Sequence, residues 1–124
     1  MLPLEPLPLP SENEITVLDL KAAIDLVIPF ILIDVREETQ FSMCKLTSAI
    51  SLPLRYILES PDAAAKSLHE MHAGSSFIFV LCRRGLDSIT ATAALLSLGY
   101  LNTCNVAGGL EAWRSSVDSE FPAY

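Results

Sequence analysis

Basic residues are scarce in this chain: eight Lys and Arg stand against fifteen Asp and Glu, a formal charge of −7. A surface so poor in cations is unsuited to a phosphate backbone, so a nucleic-acid partner is excluded. Long apolar runs are missing too. No stretch reaches the roughly 18 apolar residues of a membrane span, and no membrane partner is expected. Cysteine is sparse and odd in number, with three residues. That count argues against a disulfide framework and for a reducing, cytoplasmic setting, the cytosol. Only two histidines occur, His69 and His72. At i, i+3 with no further ligand beside them, they predict no metal site. The start, M-L-P-L-E-P-L-P-L-P, lacks the basic flank and continuous apolar core of a secretory signal.

What is present is a composition of 51% hydrophobic residues in 124 positions, enough for one domain with its own core. Four of the eight prolines are Pro3, Pro6, Pro8 and Pro10. Residues 1–14 therefore read as an extended, proline-rich linker or arm, with a docking peptide as the other reading. The folded domain is placed at 15–124.

From Ile15 onward, strand and helix signals alternate. Ile15–Val17 reads as a short strand and Asp19–Val27 as a helix, from apolar residues at 20, 23, 24 and 27. The run Phe30–Val35 predicts a buried strand, Glu37–Met43 a short helix with Phe41 inward, and Ala49–Leu52 a strand stopped by Pro53. Leu54–Leu58 and Asp62–Met71 read as helices, with Gly74 as the stop. Phe77–Leu81 is the strongest strand signal. It is followed by a helix over Ser88–Leu98, a strand over Thr103–Val106 and a helix over Gly109–Val117 with Leu110 and Trp113 on one face. Alternation of this kind predicts an α/β domain, a central parallel sheet flanked by helices on both faces. In such sheets ligands bind beyond the carboxyl ends of the strands.

The segment beyond Phe77–Leu81 is Cys82-Arg83-Arg84-Gly85-Leu86-Asp87-Ser88. A tight loop with Gly85, running into a helix start, points successive backbone N–H groups into one anion cradle. A cysteine at its base is favoured as a thiolate, the nucleophilic form. Arg83 and Arg84 reinforce the positive field; Asp87 weakens it. Two chemistries use such a cradle. Phosphoryl transfer needs a bidentate arginine clamp, and position 88, where that arginine would stand, is Ser. Sulfur transfer needs only N–H and O–H donors around a persulfide, which Ser88 and the loop amides supply. Asp34 and Arg36, at the end of a buried strand, read as a paired brace for the loops, with substrate contact as the other reading. Cys44 reads as a packing residue or a resolving thiol, and Cys104 and Trp113 as core.

Here the sequence resembles the rhodanese family. Asp34-Val35-Arg36, Phe41 and Ala49-Ile50-Ser51-Leu52-Pro53 match one signature, and Val106-Ala-Gly-Gly-Leu-Glu-Ala-Trp113 the other. The loop C-R-R-G-L-D-S is similar to the family's C-R-x-G-N-D-S. Together with Cys44 and the ending Phe121–Tyr124, it is most similar to the C-terminal rhodanese domain of the eukaryotic adenylyltransferase-and-sulfurtransferases. The resemblance implies that Cys82 takes sulfane sulfur from a cysteine desulfurase or other persulfide donor. It further implies delivery to the adenylated C-terminus of a ubiquitin-like sulfur carrier as a thiocarboxylate, for tRNA thiolation and molybdenum cofactor biosynthesis. No cofactor is implied for this domain. ATP and zinc belong to the family's adenylation domain, which would act in cis or in trans. Two positions depart from the family: Ile89, and Leu86 where Asn is usual. Leucine offers no side-chain hydrogen bond and tolerates left-handed backbone poorly. Asp87 reverses the charge that many thiosulfate-using rhodaneses place there, unless it merely caps the helix. The other function classes are a catalytically weak partner-binding module and a Cys-based phosphatase.

Overall fold

A computed structural model describes residues 11–71 and 73–123. Most of the arm at 1–14 and the residue His72 lie outside the described residues. Chain order is β1 (Glu14–Ile15), α1 (Val17–Asp25), β2 (Phe30–Asp34), α2 (Glu38–Met43), β3 (Ile50–Ser51), α3 (Leu54–Glu59), α4 (Pro61–Glu70), β4 (Phe77–Leu81), α5 (Asp87–Ser97), β5 (Thr103–Val106) and α6 (Gly109–Ser116). The five strands form one sheet in the order β1-β5-β4-β2-β3, and every pairing is parallel.

Alternation along β4 divides the core in two. Ile78 and Val80 face a cluster built with Ile57, Leu68 and Leu95 of α3, α4 and α5. Phe79 and Leu81 face the other side, with Leu20 of α1 and Leu110 and Trp113 of α6. Helices therefore cover both faces, and the central strands read as unbroken apolar runs because neither face meets water. Each fully buried Ile or Leu contributes about 1.5–3 kcal/mol.

Four local expectations are corrected. Val17 is the first residue of α1 rather than the end of a strand. Thr16 caps that helix: its Oγ1 accepts the Asp19 N–H at 3.1 Å while Asp19 Oδ2 accepts the Thr16 N–H at 2.9 Å. This reciprocal capping box satisfies two otherwise orphaned amides. Val27 lies beyond the helix, 84% exposed, at φ 55°. Phe41 does not enter the core; α2 buries none of its residues, and Phe41 is half-covered with Lys45 Nζ 4.8 Å from its ring centre. Gly74 does not stop α4, which ends at Glu70 with Met71 as its cap; Gly74 sits in the following short turn. No helix among the described residues is long and apolar enough to cross a membrane.

Candidate active site

β4 delivers Cys82 to the carboxyl end of the sheet's centre, where its side chain is 3% exposed. Two donors and one hydroxyl converge on Sγ. The backbone N–H of Gly85 donates at 3.0 Å and that of Ser88 at 3.3 Å. Ser88 Oγ lies 3.2 Å away, where it accepts the thiol proton and can return its own proton to a thiolate. Ser88 is fully buried, and its carbonyl accepts the Thr92 hydroxyl at 2.7 Å, which holds the first turn of α5 in place. The sulfur thus sits at the amino end of a helix of eleven residues, inside a ring of N–H and O–H donors. Such a ring stabilises charge on sulfur or on an atom attached to it.

The loop turns at Gly85, φ 86°. A Cβ there would lie 2.6 Å from the backbone nitrogen of Gly108, so both the angle and the space require glycine. Because Gly85 takes the left-handed turn, Leu86 does not: it holds φ −91° and ψ −54° as the cap residue of α5. The strain expected of a leucine at this position is absent. No side chain caps α5, so Asp87 is not a capping residue; it is an exposed acid in the first turn. Arg83 and Arg84 are exposed. A cleft opens over Cys82 between these residues and Arg36, Gln40, Leu86 and Asp87.

Asp34 and Arg36 form a buried ion pair. Arg36 Nη2 donates to Asp34 Oδ2 at 2.7 Å, and Nε donates to both carboxylate oxygens at 3.0 Å. The same guanidinium donates through Nη2 to the Cys44 carbonyl at 2.6 Å, fastening the segment after α2 to the end of β2. The Val35 N–H donates to the Leu81 carbonyl at 2.9 Å, so this brace joins β4 immediately before Cys82. Cys44 Sγ lies 3.9 Å from Arg36 Nη1, and Cys104 Sγ faces the Glu12 carbonyl at 3.6 Å. All three cysteines are free thiols, and burial pushes the Cys104 thiol up. Among the described residues no cluster of His, Cys, Asp and Glu could hold a metal ion.

Gly108 and Gly109 are site residues that residue-by-residue reading did not select. Gly109 takes φ 57°, and a Cβ on it would lie 2.3 Å from the Cys82 carbonyl oxygen. This close approach lets α6 donate its first free amides upward: the Leu110 N–H to the Cys82 carbonyl and the Glu111 N–H to the Arg83 carbonyl, both at 2.9 Å. With those carbonyls drawn toward α6, the following amides are free to turn toward Sγ. The adjacent Gly-Gly pair was the available signal.

The family model for the rhodanese-like domain matches residues 16–116. Over 116 residues the chain is 37% identical to a Zea mays adenylyltransferase and sulfurtransferase, MOCS3-2, covering 94% of this chain and 24% of that protein. It is 34% identical over 128 residues to the Sus scrofa adenylyltransferase and sulfurtransferase MOCS3, covering 94% of this chain and 28% of that one. The chain thus spans about a quarter of the length of these relatives. The solution structure of a rhodanese-like domain from Anabaena superposes with a TM-score of 0.72 at 24% identity, covering 91% of this chain and 86% of that one.

Proposed function

The chain belongs to the rhodanese-like domain family, and from that premise we propose that it is a sulfurtransferase carrying sulfane sulfur as a persulfide on Cys82. The observation that carries this reading is the ring around Sγ: the Gly85 and Ser88 N–H groups donate to it and the Ser88 hydroxyl exchanges a proton with it. The Cys82 thiolate attacks the outer sulfur of a donor persulfide. A new S–S bond forms on Cys82, the donor's S–S bond breaks, and the donor thiolate leaves with the electron pair. From thiosulfate the leaving group is sulfite. The loop amides and the Ser88 hydroxyl then hold the charge of the terminal sulfur. Phosphoryl transfer is disfavoured, since a buried serine occupies the position where a bidentate guanidinium would have to stand.

The finer reading follows the relatives named adenylyltransferase and sulfurtransferase. The donor is a cysteine desulfurase or another protein persulfide, and the acceptor is the adenylated C-terminus of a ubiquitin-like sulfur carrier. The persulfide sulfur attacks the acyl carbon and nucleotide leaves. A thiol reductant cleaves the resulting acyl disulfide to release a thiocarboxylate, for tRNA thiolation or molybdenum cofactor biosynthesis. ATP and zinc serve the adenylation domain, in cis or in trans, and this domain needs no cofactor. The setting is the cytosol, where free thiols persist.

Intact-mass measurement after incubation with thiosulfate, or with a desulfurase and cysteine, tests the reading. A gain of about 32 Da, one sulfur atom, is expected on Cys82 and is lost in Cys82→Ser. No adduct with any donor would overturn it in favour of a partner-binding module. The observation favouring that second reading is Leu86, 52% exposed at the mouth of the cleft.

A further inference from the structure

The cleft over Cys82 does not end at the loop. A second cleft, floored by Leu54 and Leu58 of α3, shares Arg36, Gln40 and Asp87 with it, so the two form one groove leading away from the sulfur. Its floor is apolar: Leu54 is partly buried against the core, but Leu58 is 52% exposed. Its charges are segregated. The Cys82 end carries Arg83 and Arg84 beside Asp87. Arg36 adds little, being neutralised by Asp34 at 2.7 Å. The far end carries Glu37 and Glu59 around a single cation, Arg55, whose Nη2 lies 3.4 Å from Glu37 Oε2. The hydrogen bond to Glu37, then the charges of Glu37, Glu59 and Glu38, push the Arg55 guanidinium up, as expected of a cation outnumbered by carboxylates.

Taking Cys82 as the reacting atom, as in the reading above, we propose that this groove is a polypeptide subsite selecting a partner segment with an apolar side chain next to a basic one. The apolar side chain rests on Leu54 and Leu58. The basic one meets Glu37 and Glu59. The electron-rich reacting end lies toward Arg83 and Arg84, so the charge segregation fixes the direction in which the segment lies. The segment is thin near its reacting end, because Cys82 is 3% exposed at the foot of the cleft. Small anionic donors gain nothing from the far end and meet Asp87 on the way in.

A pair of affinity reagents tests this without any sulfur chemistry. Acetyl-Leu-Lys-Gly-Gly and acetyl-Leu-Glu-Gly-Gly, each carrying an iodoacetamide at its carboxyl end, alkylate Cys82 with loss of iodide. The Lys reagent is expected to label Cys82 faster by roughly three- to ten-fold, the range of one or two exposed charge pairs. Glu59→Lys should bring that ratio to or below one, and Leu58→Asp should slow the Lys reagent against free iodoacetamide. All rates are compared under conditions where circular dichroism shows each variant fully folded, because unfolded chains would label Cys82 with either reagent alike. Equal rates with the two reagents, an unchanged ratio in Glu59→Lys, or no labelling by either reagent overturns the subsite. Failure of sulfur loading on Cys82 alongside a clear Lys preference would sink the sulfurtransferase reading and leave the groove standing.

Discussion

The backbone carbonyl of Cys82 accepts the N–H of Leu110 at 2.9 Å, tying the proposed nucleophile to the start of the last helix across 28 residues of chain. The neighbouring bond from the Glu111 N–H to the Arg83 carbonyl doubles the attachment. Through them the orientation of the loop amides depends on how closely α6 approaches, and that approach depends on Gly109.

Gly109→Ala is therefore expected to impair loading more than its effect on stability would suggest. The new Cβ would collide with the Cys82 carbonyl at 2.3 Å and with Arg83 backbone atoms at 2.9 Å, on a residue at φ 57°. Strain and displacement together should cost about 1–3 kcal/mol in urea unfolding. Sulfur loading measured on the folded fraction should fall well beyond that fraction's loss. Normal loading per folded molecule would show that the attachment does not orient the cradle.

Ser88→Ala removes the hydroxyl that accepts the thiol proton and can donate to a thiolate, while keeping the two amides. A hydrogen bond to a charged acceptor contributes about 1.5–3 kcal/mol. The rate constant for loading should thus drop about ten- to hundred-fold, at about tenfold per 1.4 kcal/mol, with a much smaller change in KM for the donor. A change in KM alone would mean that Ser88 contacts the donor and not the charged sulfur.

The Asp34–Arg36 pair should show strong non-additivity. Asp34→Asn leaves a buried guanidinium without its counter-charge, which should destabilise the domain by about 3–5 kcal/mol. Asp34→Leu combined with Arg36→Met removes both charges and should cost markedly less than Asp34→Leu alone. Equal losses for the single and double variants, by urea titration, would contradict a brace that acts through charge pairing.

Cys104 should titrate late. Burial holds its thiol above the ordinary range, so the folded protein keeps a proton that the unfolded chain releases first. Its contribution to stability is complete below the unfolded thiol's pKa and is lost as pH rises through the folded one. Alkylation of Cys104 in the folded protein should therefore reach half-maximal rate at a higher pH than in urea. Coincident midpoints would show that the site is wet.

The sequence made the centre of this fold readable for a physical reason. From Ile78 to Leu81 the strand is buried on both faces, so its apolar run has no competing interpretation, and Cys82 follows where the strand must end. Errors fell where polar side chains decide. Thr16 and Asp19 look like surface residues until their reciprocal bonds are seen, so the sequence alone favours a strand where Val17 in fact opens a helix. Hydrophobicity alone points Phe41 inward, but α2 buries none of its residues and the Phe41 ring meets the Lys45 ammonium instead. Leu86 would be strained only if the loop asked a left-handed angle of it, and Gly85 bears that angle instead. The attachment of α6 to Cys82 has almost no local signal. It links backbone atoms, and backbone atoms are the same in every sequence; only the paired glycines at 108 and 109 left a trace.

That attachment also sets an order of events during synthesis. All five strands precede residue 107, so the sheet can assemble before α6 leaves the ribosome. The cradle cannot, because the amides that hold the Cys82 and Arg83 carbonyls belong to Leu110 and Glu111. A nascent chain would own its cysteine long before it owned a reactive site, and a product broken off before Gly109 would keep the sheet and lose the chemistry.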